Sequence, residues 1–228
     1  MKRVVAARAE LAFSAGMVAA LTFATLSILA AYQGVFGLDH STHELVESTR
    51  LASLQGSMEA VSLLGQRTAL IPLILLASLL AWRPRRRWAL AFPLVMAGTG
   101  ALQFLAKWAV DRPRPNEAAW GFPSGHALSV LVFFGLVAYL VCTSGTRRCW
   151  RWTSVALAVA TILTVGFSRL YLNMHWLSDV GGGFAVGLAY LLIAIWFVER
   201  LPARRSQRLA PCAAPSSTTA PAPVTLPT

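Results

Sequence analysis

The sequence predicts an all-α fold, a polytopic membrane helical bundle with six transmembrane helices and both termini cytoplasmic. Three observations carry that prediction. Of the 228 residues, 56% are hydrophobic and only 13% charged, where a soluble domain would have about 25% charged. The apolar residues gather into six runs, 11–34, 68–82, 88–106, 127–142, 152–167 and 180–198, most of them near the ~20 residues that cross a hydrocarbon core. Fourteen of the twenty basic residues fall on alternate connections between those runs.

Taken in order, the first run follows "MKRVVAARAE", which has the charge of a signal-peptide n-region. Its apolar part is longer than the ~7–15 residues of an h-region, so it reads as a retained span, with cleavage near "LAAYQG" as the alternative. The second run is short and borrows from Val61–Gly65 across Arg67. Between them, "STHE" (Ser41 to Glu44) has the S-x-x-E spacing of a capping box. Leu51, Leu54, Met58 and Val61 then recur at helical spacing, which predicts a short amphipathic helix on the outer interface. His40, His43 and Glu44 invite a metal reading but lack zincin spacing; a solvated or interfacial loop fits them better. Runs three to six are spans of ordinary length. Residues 1–200 form one six-span domain, and the Pro/Ala/Ser/Thr-rich segment 201–228 is expected to be a disordered cytoplasmic tail.

A net charge of +11 would suit a nucleic-acid binder, but its distribution argues otherwise. Lys2, Arg3 and Arg8 precede span one, and Arg83, Arg85, Arg86 and Arg87 separate spans two and three. Arg147, Arg148 and Arg151 separate four and five, and Arg200, Arg204, Arg205 and Arg208 follow six. The positive-inside rule places all of these in the cytoplasm, with anionic headgroups as their contacts. The predicted partners are membrane lipids; neither nucleic acid nor a protein partner is indicated. Cys142, Cys149 and Cys212 give no disulfide framework and no metal spacing.

Loops 35–67, 107–126 and 168–179 then share the outer face, where the remaining chemistry collects. "KWAVDRPRPNEAAWGFPSGH" supplies Lys107, Arg112, Arg114, Ser124 and His126, and "SRLYLNMHWLSD" supplies Arg169, His175 and Asp179. Ionisable groups at span ends are costly, and each is a functional candidate for that reason. Arg114 and Arg169 offer planar forks for phosphate oxygens, and Lys107 adds a cation at a helix C-terminus. Ser124, Gly125 and His126 open a span, where free N–H groups favour an anion and glycine admits close approach. If span six begins near Asn173, an apt N-cap, His175 and Asp179 share a face at i, i+4. Asp179 would fix the tautomer of His175 and free its other nitrogen as a nucleophile. His126 would act as general acid. This pattern points to phosphoryl transfer through a phosphohistidine, with no metal and no cofactor.

Three motifs carry a family resemblance. "KWAVDRPRP" (Lys107 to Pro115), "PSGH" (Pro123 to His126) and "SRLYLNMHWLSD" (Ser168 to Asp179) resemble, complete and in order, the three motifs of the type 2 phosphatidic acid phosphatase superfamily. The resemblance covers about residues 60–200. It implies a metal-independent helical-bundle phosphatase acting on lipid phosphates or diphosphates, such as phosphatidate, phosphatidylglycerol phosphate or undecaprenyl diphosphate. By that analogy His175 is the nucleophile, Asp179 its orienter and His126 the acid. Lys107, Arg114, Ser124, Gly125 and Arg169 form the phosphate pocket. Arg112 is two positions off the motif's arginine and is expected to pair with Asp111 or with headgroups. The implied location is the cell membrane, with the site facing the periplasm or exterior. A phosphotransferase, or a silent binding protein of the same fold, is the rival reading.

Overall fold

The apolar runs set the architecture, because helix is how a backbone satisfies its own hydrogen bonds in lipid. The computed structural model describes residues 2–201; the predicted tail beyond Leu201, with Cys212, lies outside the described residues. Eight helices follow one another: α1 (Lys2–Gln33), α2 (Gly37–Ser48), α3 (Ala52–Leu63), α4 (Arg67–Trp82), α5 (Arg86–Val110), α6 (Gly125–Cys142), α7 (Arg148–Tyr171) and α8 (Leu177–Arg200). The described residues contain no strand.

Five helices are long and apolar enough to cross a membrane: α1 over Glu10–Tyr32, and α5, α6, α7 and α8. The second predicted span falls on a bent pair of helices, α3 and α4. The 16 residues of α4 reach about 24 Å at the helical rise, short of a core ~30 Å thick. Together with α3, across a 44° bend, α4 meets the same standard, so the count is five, or six if the bent pair is one span.

α8 is the bundle's axis, packed along α1 and α6; α6 also packs on α7, and α4 on α5. Phe92 and Met96 of α5, Leu128, Val132 and Leu136 of α6, and Val186 and Leu191 of α8 form the core. Leu21, Leu94, Leu105 and Leu163 face outward, a surface suited to lipid. Exposed Trp82, Trp150 and Trp152 mark one end of the bundle, and Trp108 and Trp120 the other, like the aromatic girdles of membrane interfaces. At the arginine-rich end Glu199 accepts from Arg87 (2.8 Å), Trp88 Nε1 (3.0 Å) and Tyr139 Oη (3.0 Å), tying α5, α6 and α8 together. The predicted site lies at the opposite end.

Two local expectations change. The S-x-x-E box is not a cap: Ser41 lies inside α2, with its hydroxyl donating to Gly37 O. Phe36 is the N-cap, and Asp39, at the third helical position, accepts from the Phe36 N–H at 3.2 Å. The last span begins later than Asn173. Asn173 has φ +57, a left-handed turn position, and α8 starts after its N-cap, Trp176. Early in α8, Gly182 and Gly183 pack closely on their neighbours and Gly181 faces open space. A Cβ on Gly183 would lie 2.6 Å from the Ser124 carbonyl oxygen.

Candidate active site

Four span ends build the site. Lys107 sits in the last turn of α5, buried, and its ammonium donates to the carbonyls of Trp120 and Gly121. The chain leaves α5 through Asp111, at φ 31, and returns to open α6 with Ser124 as N-cap. The Ser124 N–H donates to Asp179 O at 2.9 Å, which fixes the start of α6 against the start of α8. Gly125 backs onto the side chain of Gln103, with no room for a Cβ. Arg169 closes α7 and is 6% exposed; its Nη1 donates to Ser62 Oγ of α3.

His175 stands two residues before α8. It meets Asp179 because Asp179 reaches back from the first turn, accepting from the Trp176 N–H at 2.9 Å; the pair does not arise from a shared helix face. The same oxygen, Oδ2, stands 3.4 Å from His175 Nδ1. Burial pushes the His175 pKa down, the Asp179 carboxylate pulls it back in part, and Lys107 and Arg169 lower it further, leaving it at about 4. The ring is neutral at pH 7.

The structure thus gathers Lys107, Ser124, Gly125, His126, Arg169, His175 and Asp179 at one end, with Arg114 in the connecting loop. The charges of Arg114, Asp179 and Arg169 all bear on Lys107. Among the described residues, Arg114 Nε, Arg169 Nε and His126 Nε2 are buried without a hydrogen-bond partner. Such groups are rare in folded proteins, and Arg112 Nε, on the Asp179 side of the site, is a fourth. A cleft of about 650 Å³ between α4 and α5 runs up to Gly125 and His126, lined by Leu70, Ile71, Ile74, Pro93 and Met96.

Arg112 is where the sequence reading fails. It bonds neither Asp111 nor solvent; it is 2% exposed. Its Nη2 donates to Asp39 Oδ2 at 2.6 Å, and its Nη1 to Asp179 Oδ1 at 2.9 Å and Ser178 Oγ at 2.7 Å. Ser178 in turn donates to Asp39 from its N–H (2.8 Å) and hydroxyl (2.7 Å). Burial alone would raise the Asp39 pKa, but the hydrogen bonds from Ser178, Arg112 and the Phe36 N–H outweigh it and leave it lowered. Asp39, Ser62, Gly65 and Ser178 were all missed from sequence. Gly65 lies in the break between α3 and α4, where a Cβ would stand 2.7 Å from the His126 ring. His40 and His43 lie on α2 with their rings 5.4 Å from that of Trp176. Among the described residues no group of three or more His, Cys, Asp or Glu side chains is placed to hold a metal.

A bundle of apolar helices with cations, two histidines and a carboxylate at one end defines a class: a membrane protein with a cluster of ionisable groups at the ends of its spans. Comparison gives the class its family. The PAP2 superfamily pattern matches residues 88–203, just over half of the chain, and the chain belongs to that superfamily. It is 29% identical to phosphatidylglycerophosphatase B of Bacillus subtilis over 154 residues, 63% of this chain and 75% of the relative. It is 24% identical to the undecaprenyl-diphosphatase of Sulfolobus acidocaldarius over 187 residues, 76% of this chain and 84% of the relative. The crystal structure of a PAP2-type phosphatidylglycerolphosphate phosphatase from Bacillus subtilis superposes with a TM-score of 0.75 at 25% identity, covering 83% of this chain and 98% of that one. Aquifex aeolicus LpxE shares the fold at a TM-score of 0.57 and 19% identity, over 71% of this chain and 97% of that one.

Proposed function

We propose that the protein hydrolyses lipid phosphates or diphosphates through a phosphohistidine, without a metal ion, at the outer face of the cell membrane. Residues 1–200 would be the catalytic domain. The observation that carries the reading is the set of unsatisfied buried donors on Arg114, Arg169 and His126 beside a neutral, carboxylate-held His175. Donors of that kind suit the three non-bridging oxygens of a phosphoryl group, whose transfer needs chiefly positioning and charge stabilisation. The apolar cleft ending at His126 suits the lipid part of such a substrate, and the relatives named above are lipid phosphatases.

In the proposed reaction His175 Nε2 attacks phosphorus in line as the bond to the leaving oxygen breaks. His126, whose imidazolium the bound phosphate's negative charge favours, gives that oxygen its proton. Water, deprotonated by His126, then attacks phosphorus, the P–N bond breaks, and inorganic phosphate leaves with His175 restored. Lys107, Arg114, Arg169 and the N–H groups behind Ser124 and Gly125 hold the charge throughout.

The test is phosphate release by purified protein from phosphatidate, phosphatidylglycerol phosphate and undecaprenyl diphosphate, with and without EDTA. At least one is expected to turn over, with EDTA without effect and His175→Ala inactive. Turnover by folded His175→Ala would remove the phosphohistidine, and strong inhibition by EDTA would remove the metal-free reading.

A further inference from the structure

We propose that Asp39 and Arg112 are positioning residues for the reaction: Arg112, held between two buried carboxylates, sets the orientation and charge of Asp179, and Asp39 sets Arg112. The inference rests on the functional reading above and adds two residues that are not among the fixed positions of the three motifs: Asp39 precedes them, and Arg112 stands two positions before Arg114. Of the nine acidic residues, two are buried, Asp39 and Asp179, and both bond Arg112.

The geometry is that of a clamp between two helix starts. Asp39 is the third residue of α2 and Asp179 the third of α8, and each accepts from the N–H of its own N-cap residue, Phe36 and Trp176. Asp39 uses Oδ2 both for its own N-cap and for Arg112, whereas Asp179 divides these tasks between its two oxygens. Arg112 takes Asp179 by Oδ1, the oxygen that His175 and Trp176 leave free. With Oδ1 held by the guanidinium and Oδ2 by the Trp176 N–H, the carboxylate has no rotational freedom left, and Oδ2 stays aimed at His175 Nδ1. The Ser178 hydroxyl completes the ring, accepting from Arg112 and donating to Asp39. Gly121 closes it below, where a Cβ would lie 2.9 Å from Arg112 O and 3.2 Å from Asp179 Oδ2.

The charges make a distinct contribution. A guanidinium facing Asp179 alone would draw its charge away from the imidazole. Asp39 shares the guanidinium, and Asp179 keeps its hold on His175. Lys107 of α5 and Arg169 of α7 also bear on His175, His126 of α6 faces it, and His43 and Asp39 of α2 line a small cavity with it; the carboxylates beside His175 are thus Asp179 and Asp39.

The experiment measures kcat, KM and the pH profile of kcat/KM for the wild type, Asp39→Asn and Arg112→Gln on whichever lipid phosphate the wild type hydrolyses. Both variants are expected to lose about tenfold to a hundredfold in kcat, the scale of a misplaced reacting group, with KM within about twofold because the phosphate donors are untouched. The acid limb should move in opposite directions: to lower pH in Asp39→Asn, where a negative charge is lost near His175, and to higher pH in Arg112→Gln, where a positive one is lost. A purely structural role would lower active protein without splitting the limbs, and limbs that move together or not at all would overturn the proposal. If Asp39→Asn does not fold, Ser178→Ala keeps both charges and loosens the clamp. It should lower kcat several-fold at constant KM, and wild-type kcat there overturns the inference. A wild type that releases no phosphate from any substrate defeats the functional reading itself; an active wild type with unaltered variants defeats this inference alone.

Discussion

His175 is 4% exposed, and burial, partly offset by Asp179, brings its pKa from 6.5 to about 4. The consequence for rate is a displaced acid limb. Nucleophilic nitrogen requires the neutral ring, so kcat/KM, which reports the free enzyme, should stay level down to about pH 5 and fall through about pH 4. The limb in kcat should lie higher, because a bound phosphate favours the imidazolium. A kcat/KM limb at 6.5 or above would mean that another group titrates. Stability moves in the same sense. A folded pKa below the unfolded one favours the fold fully above about 6.5, and that contribution is lost as pH falls through about 4. Asp179→Asn should fold yet lose about 10⁴ in kcat, the scale seen when an orienting carboxylate is removed from a catalytic histidine.

At the scale of elements, the glycines of α8 separate packing from propensity. Gly183→Ala would press a methyl to 2.6 Å from the Ser124 carbonyl and 2.9 Å from Ala127 Cβ, and that backbone cannot retreat without moving α6. The expected cost is about 1–3 kcal/mol, typical of overpacking, with activity falling too if Ser124 opens the proposed phosphate pocket. Gly181→Ala, two residues away, meets nothing within 4 Å and should be neutral or stabilising by about 0.5–1 kcal/mol from helix propensity. Thermal unfolding of the two variants in detergent checks both signs. The contrast also shows what the sequence can reveal. Helices α5 to α8 are legible as apolar blocks, and the motif residues are legible because each motif is a short contiguous stretch at a span end. Helix starts are less so, since Asn173 and Ser41 have capping chemistry but the caps fall at Trp176 and Phe36 with Asp side chains reaching back. Asp39 and Arg112 are 73 residues apart, and no local pattern links them; Asp39 is one of four acidic residues in 35–67, and nothing in the sequence sets it apart from the others.

For the whole molecule, the open matter is which end faces the cytoplasm, and charge and geometry argue the same way. The ends of α5, α6 and α8 near Arg85, Arg87 and Glu199 are joined to one another, while Lys107, Ser124, Arg169, His175 and Asp179 occupy the other end. Arginines resist translocation, so the Glu199 end should be cytoplasmic and the phosphate site external. Cys149, exposed near the start of α7 at the arginine-rich end, reports this directly. In a Cys142→Ala/Cys212→Ser background it is the single thiol, and a membrane-impermeant maleimide added to intact cells should leave it unlabelled. Permeabilised cells should label it fully. A cysteine placed at exposed Glu117, in the loop that carries Arg114, should give the reverse and react in intact cells. Labelling of Cys149 from outside would invert the bundle, turning the phosphate site toward the cytoplasm and restricting its substrates to inner-leaflet lipids.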